Sequence, residues 1–252
     1  MSADAERRIV ERWVDGFWDG TGSGSTRRVL PDGCIDFVFD LDRGSGWVVG
    51  PMTRAAVCAV PRGHRYFGVR FLPGRAAAWI DAKANELLDR DADFDELSVA
   101  GAAELAEALA RARDFAQRRA LVARFLQRAP ARHRSVDPRV ERATRLLAHA
   151  EETASIAALS AELGLGERQL ERLFHEHVGL RPKLFARVLR LQRAVTLVRR
   201  PLKNQAELAA LAGYADEPHL LREFRALSGV TPRALLAELD VGFLQDGVAG
   251  AS

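Results

Sequence analysis

The chain has 252 residues, 48% of them apolar and 28% charged, a balance that excludes a disordered or fibrous protein and allows one large core or two ordinary ones. No run approaches the roughly 18 apolar residues of a membrane span. Residues 1–12 are polar and lack the apolar core of a signal peptide, so a cytoplasmic protein with Cys34 and Cys58 reduced is expected. The net charge is only +3, but residues 132–233 hold 18 Lys/Arg against 12 Asp/Glu, and a basic segment of this kind favours a polyanion.

In chain order, residues 1–8 read as a frayed start or a short helical turn. Residues 9–73 have the texture of a β domain. Trp13, Val14, Phe17 and Trp18 lead into a Gly/Ser/Thr loop, and 27–30 is a short strand stopped by the turn Pro31-Asp32-Gly33. In 34–41 the residues Ile35, Phe37 and Phe39 alternate with Asp36 and Val38, the period of a strand. Segments 47–49, 55–60 and 64–72 complete about six short strands, a spacing that predicts a small sandwich or barrel. After Pro73 the texture turns helical. Short helical pieces are expected at 74–80 and 84–88, a helix capped by Ser98 over 98–113, and another over 114–128. Leu105, Leu109, Leu121 and Phe125 on these helices are candidate dimer contacts. The Pro130-containing stretch 129–135 breaks the pattern and marks the expected domain boundary, giving 1–130, 131–240 and a tail at 241–252.

The C-terminal part opens on Asp137-Pro138, an N-cap followed by proline at the first helical position. Helices are expected over 138–149, 156–163 (capped by Ser155) and 167–178, with Gly164 at a tight turn. Pro182 opens a long helix to about Arg199, with Leu184, Val188, Leu191 and Val195 on an apolar side and Arg187, Arg190 and Arg193 opposite. Two more helices, 205–212 and 217–228, and a last short one from Pro232 complete the part. This stretch is written twice: Leu170, Arg172, Phe174, Gly179 and Pro182 return as Leu220, Arg222, Phe224, Gly229 and Pro232, each 50 residues later. The spacing reads as two helix-turn-helix units in tandem, joined by the long helix. The whole chain is therefore expected to be α+β, with a small N-terminal β domain, a helical linker and an all-α C-terminal domain.

This doubled pattern resembles the AraC/XylS class of bacterial transcription regulators. The matches are Gly213, Tyr214, Asp216, Leu220, Arg222, Phe224, Gly229, Thr231 and Pro232 in the second unit. In the first they are Leu159, Gly164, Leu165, Arg168, Leu170, Arg172, Phe174, Gly179 and Pro182. The resemblance implies a seven-helix module over 136–239 that places two recognition helices in successive major-groove segments of double-stranded DNA. Further partners it implies are a small-molecule effector, a second copy of the chain and RNA polymerase. Pro31-Asp32-Gly33-Cys34 and Gly68-Val69-Arg70-Phe71 resemble a subgroup of these regulators whose N-terminal domain is uncharacterised. Gly166 stands where a capping Ser is common in the family, and Pro218 removes a donor from the first turn of its helix.

A recognition helix offers its N-terminal, outward residues to base edges. On that geometry Arg168, Glu171 and Arg172 in the first unit and Glu217, Leu221 and Arg222 in the second are the candidate base contacts. Arg168 and Arg172 share a face, and Arg can address guanine in a bidentate way. Arg181, Lys183, Arg225 and Arg233 lie near helix ends and suit phosphates. In the N-terminal part, Trp18, Phe37, Phe39, Trp47 and Tyr66, with Arg70 as a cationic anchor, are a candidate effector pocket. The plainer alternative makes the aromatics core and pairs Arg70 with a carboxylate. His64, His133, His149, His175, His177 and His219 show no metal-ligand spacing, and no hydrolase, nucleotide or dinucleotide motif is present, so neither cofactor, metal nor enzymatic activity is expected. Two alternatives remain: a DNA-repair methyl acceptor using Cys34, and an architectural DNA binder without an effector.

Overall fold

The computed structural model describes residues 2–128, 137–149, 155–201 and 204–241. The expected boundary at 129–135 and nearly all of the tail lie outside them. The first element is a helix, α1 (Ala3–Trp13), started by Ser2 accepting from the Ala5 amide. This extends the helical start into residues assigned to the β domain. Ile9, Val10 and Trp13 have helical spacing, and Val10 and Trp13 are buried.

Among the described residues seven strands follow: β1 (Val14–Thr21), β2 (Thr26–Val29), β3 (Asp36–Asp40), β4 (Ser45–Val49), β5 (Ala56–Ala59), β6 (Arg65–Phe71) and β7 (Asp91–Asp93). Five form one antiparallel sheet in the order β1-β6-β3-β4-β7, and β2 pairs with β5 in a separate two-stranded ribbon. The α+β class and the order of domains match expectation. The sheet itself is open, not a barrel or a symmetrical sandwich, because helices cover its apolar face. In the β3–β6 register Phe37 lies opposite Val69 and Asp36 opposite Arg70, so Phe37, Phe39, Phe67, Val69 and Phe71 share one face. They pack with α1, α2 (Ala102–Arg111) and α3 (Phe115–Gln127) into one core.

Two details differ from the sequence reading. Helix α2 starts at Ala102 instead of Ser98; Gly101 (φ 78°) turns the chain into it, and Ser98 itself has φ 50°. Leu105 and Leu109 are buried in the domain's own core and are internal contacts, while Leu121 and Phe125 are half-buried against it. Asp114 caps α3 as a side-chain acceptor for the Gln117 amide.

The C-terminal part contains α4 (Pro138–His149), α5 (Ile156–Glu162), α6 (Glu167–His177), α7 (Pro182–Leu197), α8 (Gln205–Ala212), α9 (Glu217–Ser228) and α10 (Pro232–Val241). They bury two cores, one around Leu170, Phe174 and Phe185 and one around Leu208, Leu220 and Phe224. Helix α7 serves both: Phe185 and Val188 enter the first, Leu191 and Ala194 the second. At 16 residues it is about 24 Å long. Its basic side, set opposite the apolar one as the sequence pattern predicts, is partnered. Arg187 donates to Glu223 on α9 at 2.6 and 3.1 Å, Arg190 is buried with its guanidinium over the Tyr214 ring, and Arg193 donates to the Ala148 carbonyl. These arginines tie the rod to α4 and to the second unit.

Candidate nucleic-acid interface

The repeat in the sequence is a repeat in three dimensions. Each unit is a short helix, a turn through a glycine, and a longer helix: α5–Gly164–α6 and α8–Gly213–α9. Each longer helix ends on a left-handed glycine, Gly179 (φ 83°) or Gly229 (φ 77°), a conformation that costs a residue with a Cβ about 1–2 kcal/mol. The entrances differ. Asp216 caps α9 by accepting from the His219 amide at 2.6 Å, whereas Gly166 gives α6 no side-chain cap. Helix α8 is capped by Asn204, accepting from Glu207 at 2.9 Å.

Leu170, Leu173 and Phe174 turn α6 into its core, as Leu220, Phe224 and Leu227 turn α9. The opposite faces follow from the helical period. Arg168, Glu171 and Arg172 are exposed on α6, and Arg222 and Arg225 on α9. Glu217 and Leu221 are half-buried. Arg181, Lys183 and Arg233, at the starts of α7 and α10, are exposed as well. Arg172 lies 3.7 Å from Glu176 one turn on, a pair 61% exposed on the arginine side and so weak enough to exchange for another acceptor. The structure thus presents Arg168 and Arg172 together on one helix and Arg222 and Arg225 together on the other.

The candidate effector residues divide. Phe37 and Phe39 are 1% and 0% exposed and pack on Phe71 and Phe94 within the core. The register puts Trp18, Trp47, Tyr66 and Arg70 on the other face of the sheet. The six therefore do not line one cavity. Nor is Arg70 an open anchor: it pairs with Asp32 at 2.9 Å and with Asp36 at 3.2 Å, and the Trp18 indole N–H donates to Asp36 at 3.1 Å. Trp18 lies flat on Gly68, where a Cβ would overlap its indole. Burial holds the Asp32 carboxyl up at about 6 against the pull of Arg70, and Asp36 adds to the rise. The Cys34 thiol beside it is buried, and that burial together with the Asp32 charge pushes its pKa well above the ordinary thiol range. This is the opposite of what a methyl-accepting nucleophile needs.

The sequence reading missed the residues that join the two parts. Lys83 pairs with Glu176 at 3.2 Å and Arg75 pairs with Glu141, so the segment between β6 and β7 grips the first unit. The Gln192 amide donates to the Pro31 carbonyl, and Phe185 closes on Gly33. Arg28 in the ribbon reaches Glu238 on α10 and the Ser228 carbonyl. No local pattern marks pairs that lie up to 210 residues apart.

The molecule is thus an N-terminal sheet domain docked on two helix-turn-helix units in tandem. Residues 159–238 match a family described as helix-turn-helix domain, and residues 7–93 match a domain of unknown function (DUF6597). The chain is 30% identical over 110 residues to the HTH-type transcriptional regulator GbdR of Pseudomonas aeruginosa, covering 42% of this chain and 30% of that protein. It is 32% identical over 87 residues to the HTH-type transcriptional activator RhaS of Escherichia fergusonii, covering 34% and 31%. The matched stretch thus spans about a third of the length of these relatives. Among solved structures it is similar to an AraC-type DNA-binding regulator from Chromobacterium violaceum, at 30% identity, 40% of this chain, 91% of that one and a TM-score of 0.38. The chain belongs to the AraC family of helix-turn-helix transcription regulators, a family of regulators and not of enzymes, with an N-terminal domain of the DUF6597 type. Among the described residues no helix is long and apolar enough to cross a membrane.

Proposed function

We propose that the protein is a sequence-specific regulator of transcription that inserts α6 and α9 into successive major-groove segments of an operator. The observation that carries this reading is the doubled unit with paired exposed arginines on equivalent helix faces, Arg168 with Arg172 and Arg222 with Arg225. Arg168, Glu171, Arg172, Glu217, Leu221 and Arg222 read base edges. Arg181, Lys183, Arg225 and Arg233 hold phosphates, which position the protein without specifying sequence. The half-buried state of Glu217 and Leu221 supports a smaller share of readout for α9 than for α6.

Residues 131–240 then form the reader and residues 1–130 the domain that governs it, through an effector, a second copy of the chain, or its direct grip on the reader. An effector on the sheet would meet Trp18, Trp47 and Tyr66; Arg70 is already neutralised and does not anchor an anion. Selection of binding sites from random duplexes, followed by phosphate footprinting, tests the reading. A recovered motif protected over two groove segments is the expected result. Steep salt dependence with no preferred sequence would identify an architectural binder instead.

A further inference from the structure

We propose that Arg28 is a positioning residue for the second recognition helix, and that the β2–β5 ribbon makes the N-terminal domain a splint setting the spacing between the two readers. The inference rests on both units engaging DNA.

The ribbon's end at Val29 and Ala56 abuts the end of α9. The Ala55 amide donates to the Leu227 carbonyl at 2.7 Å. Arg28 donates through Nε and Nη2 to the two carboxylate oxygens of Glu238 at 2.9 and 3.2 Å, and through Nη1 to the Ser228 carbonyl at 3.1 Å. Leu227 and Ser228 are in the last turn of α9, whose carbonyls have no partner within the helix. One arginine thus satisfies an end of the recognition helix and pins the helix that follows it. Leu30, two residues further on, packs against the same unit's core.

The same N-terminal domain holds the first unit independently. Lys83 pairs with Glu176 on α6, and Gly179 fits against Pro51 and the Ala84 carbonyl with no room for a side chain. Attaching each unit to a common second body restrains its orientation beyond what the packing on α7 supplies alone. The rod α7 fixes how far apart the units sit, and the ribbon fixes how α9 is turned relative to α6. Half-site spacing in an operator is a geometric consequence of that orientation, so Arg28, remote from the proposed base contacts, determines specificity.

The test uses the full chain on its selected operator and on operators with one base pair added or removed between the two groove segments. Wild type is expected to bind the altered spacings much more weakly. Arg28→Ala should tolerate them, with discrimination reduced roughly fivefold, the scale of one part-exposed charge-assisted pair. Its affinity for the first segment alone should be unchanged. Glu238→Gln, at a side chain 43% exposed and so harmless to the fold, should move the same way by a smaller factor. If both variants keep a two-segment footprint and discriminate spacing as sharply as wild type, the splint is wrong. If wild type protects only one segment, the reading of two engaged units fails instead.

Discussion

Gly179 and Gly229 occupy equivalent places in the repeat, yet alanine should affect them very differently. Both have positive φ, 83° and 77°, so each alanine incurs about 1–2 kcal/mol of backbone strain, offset by a common gain of about 0.4–1 kcal/mol from a stiffer unfolded chain. The surroundings then separate them. A Cβ on Gly179 would overlap Pro51 Cγ and sit 2.8 Å from the Ala84 carbonyl oxygen. Neither is the tip of a flexible side chain, and forcing such contacts costs about 1–3 kcal/mol. A Cβ on Gly229 meets only Arg28 Nη1 at 3.2 Å, which can shift. Gly179→Ala is therefore expected to destabilise by about 2 kcal/mol more than Gly229→Ala. Gly164→Ala, at φ 64° with nothing within 4 Å, serves as the strain-only control. Urea titrations followed by circular dichroism give the midpoints, compared at constant slope. If Gly179→Ala and Gly229→Ala agree within about 0.5 kcal/mol, the close packing of Gly179 against the N-terminal domain does not exist in solution.

Other substitutions test the reader and the buried cluster. Arg172→Ala should lose about 1–3 kcal/mol of preference at one base pair, measured by binding to a set of single-base operator variants; an unchanged preferred sequence and affinity would falsify the assignment of α6 as principal reader. Arg225→Ala should weaken binding to all duplexes alike and lower the slope of log affinity against log salt by about 0.9. Asp216→Ala removes the cap of α9 and should cost about 1 kcal/mol, seen as a lowered midpoint; no change would mean that water replaces the carboxylate. Asp32 gives a pH dependence of definite sign. Its carboxyl is raised from 3.8 to about 6 by burial, so between those values the native state holds a proton that the unfolded chain has released. Its contribution to stability therefore falls as pH rises through that window. Asp32→Asn should flatten the unfolding free energy between about pH 4 and pH 6, and an unaltered profile would place the titration elsewhere.

The sequence by itself determined the units. A 50-residue register, a cap such as Ser155, and the apolar stripes of α6 and α9 are local signals. Each acts within a few residues through the helical period, so each is legible without the fold. The order of a sheet domain before a helical one was legible for the same reason. The start of α2 was not, because Gly101 works through its backbone. The partners of the three arginines on α7 were not legible, because a helical wheel shows that they share a side but not that Glu223, Tyr214 and Ala148 wait on it. Phe37 and Phe39 likewise share an alternation with any half-buried strand. Only the cover of α1, α2 and α3 made their face the core and left Trp18, Trp47, Tyr66 and Arg70 on the other. The pairing of Arg70 with Asp32 and Asp36 needed the β3–β6 register, and that of Arg28 with Glu238 needed the two parts to dock. These are contacts between distant segments whose partners are chosen by packing, and tertiary structure alone decides them.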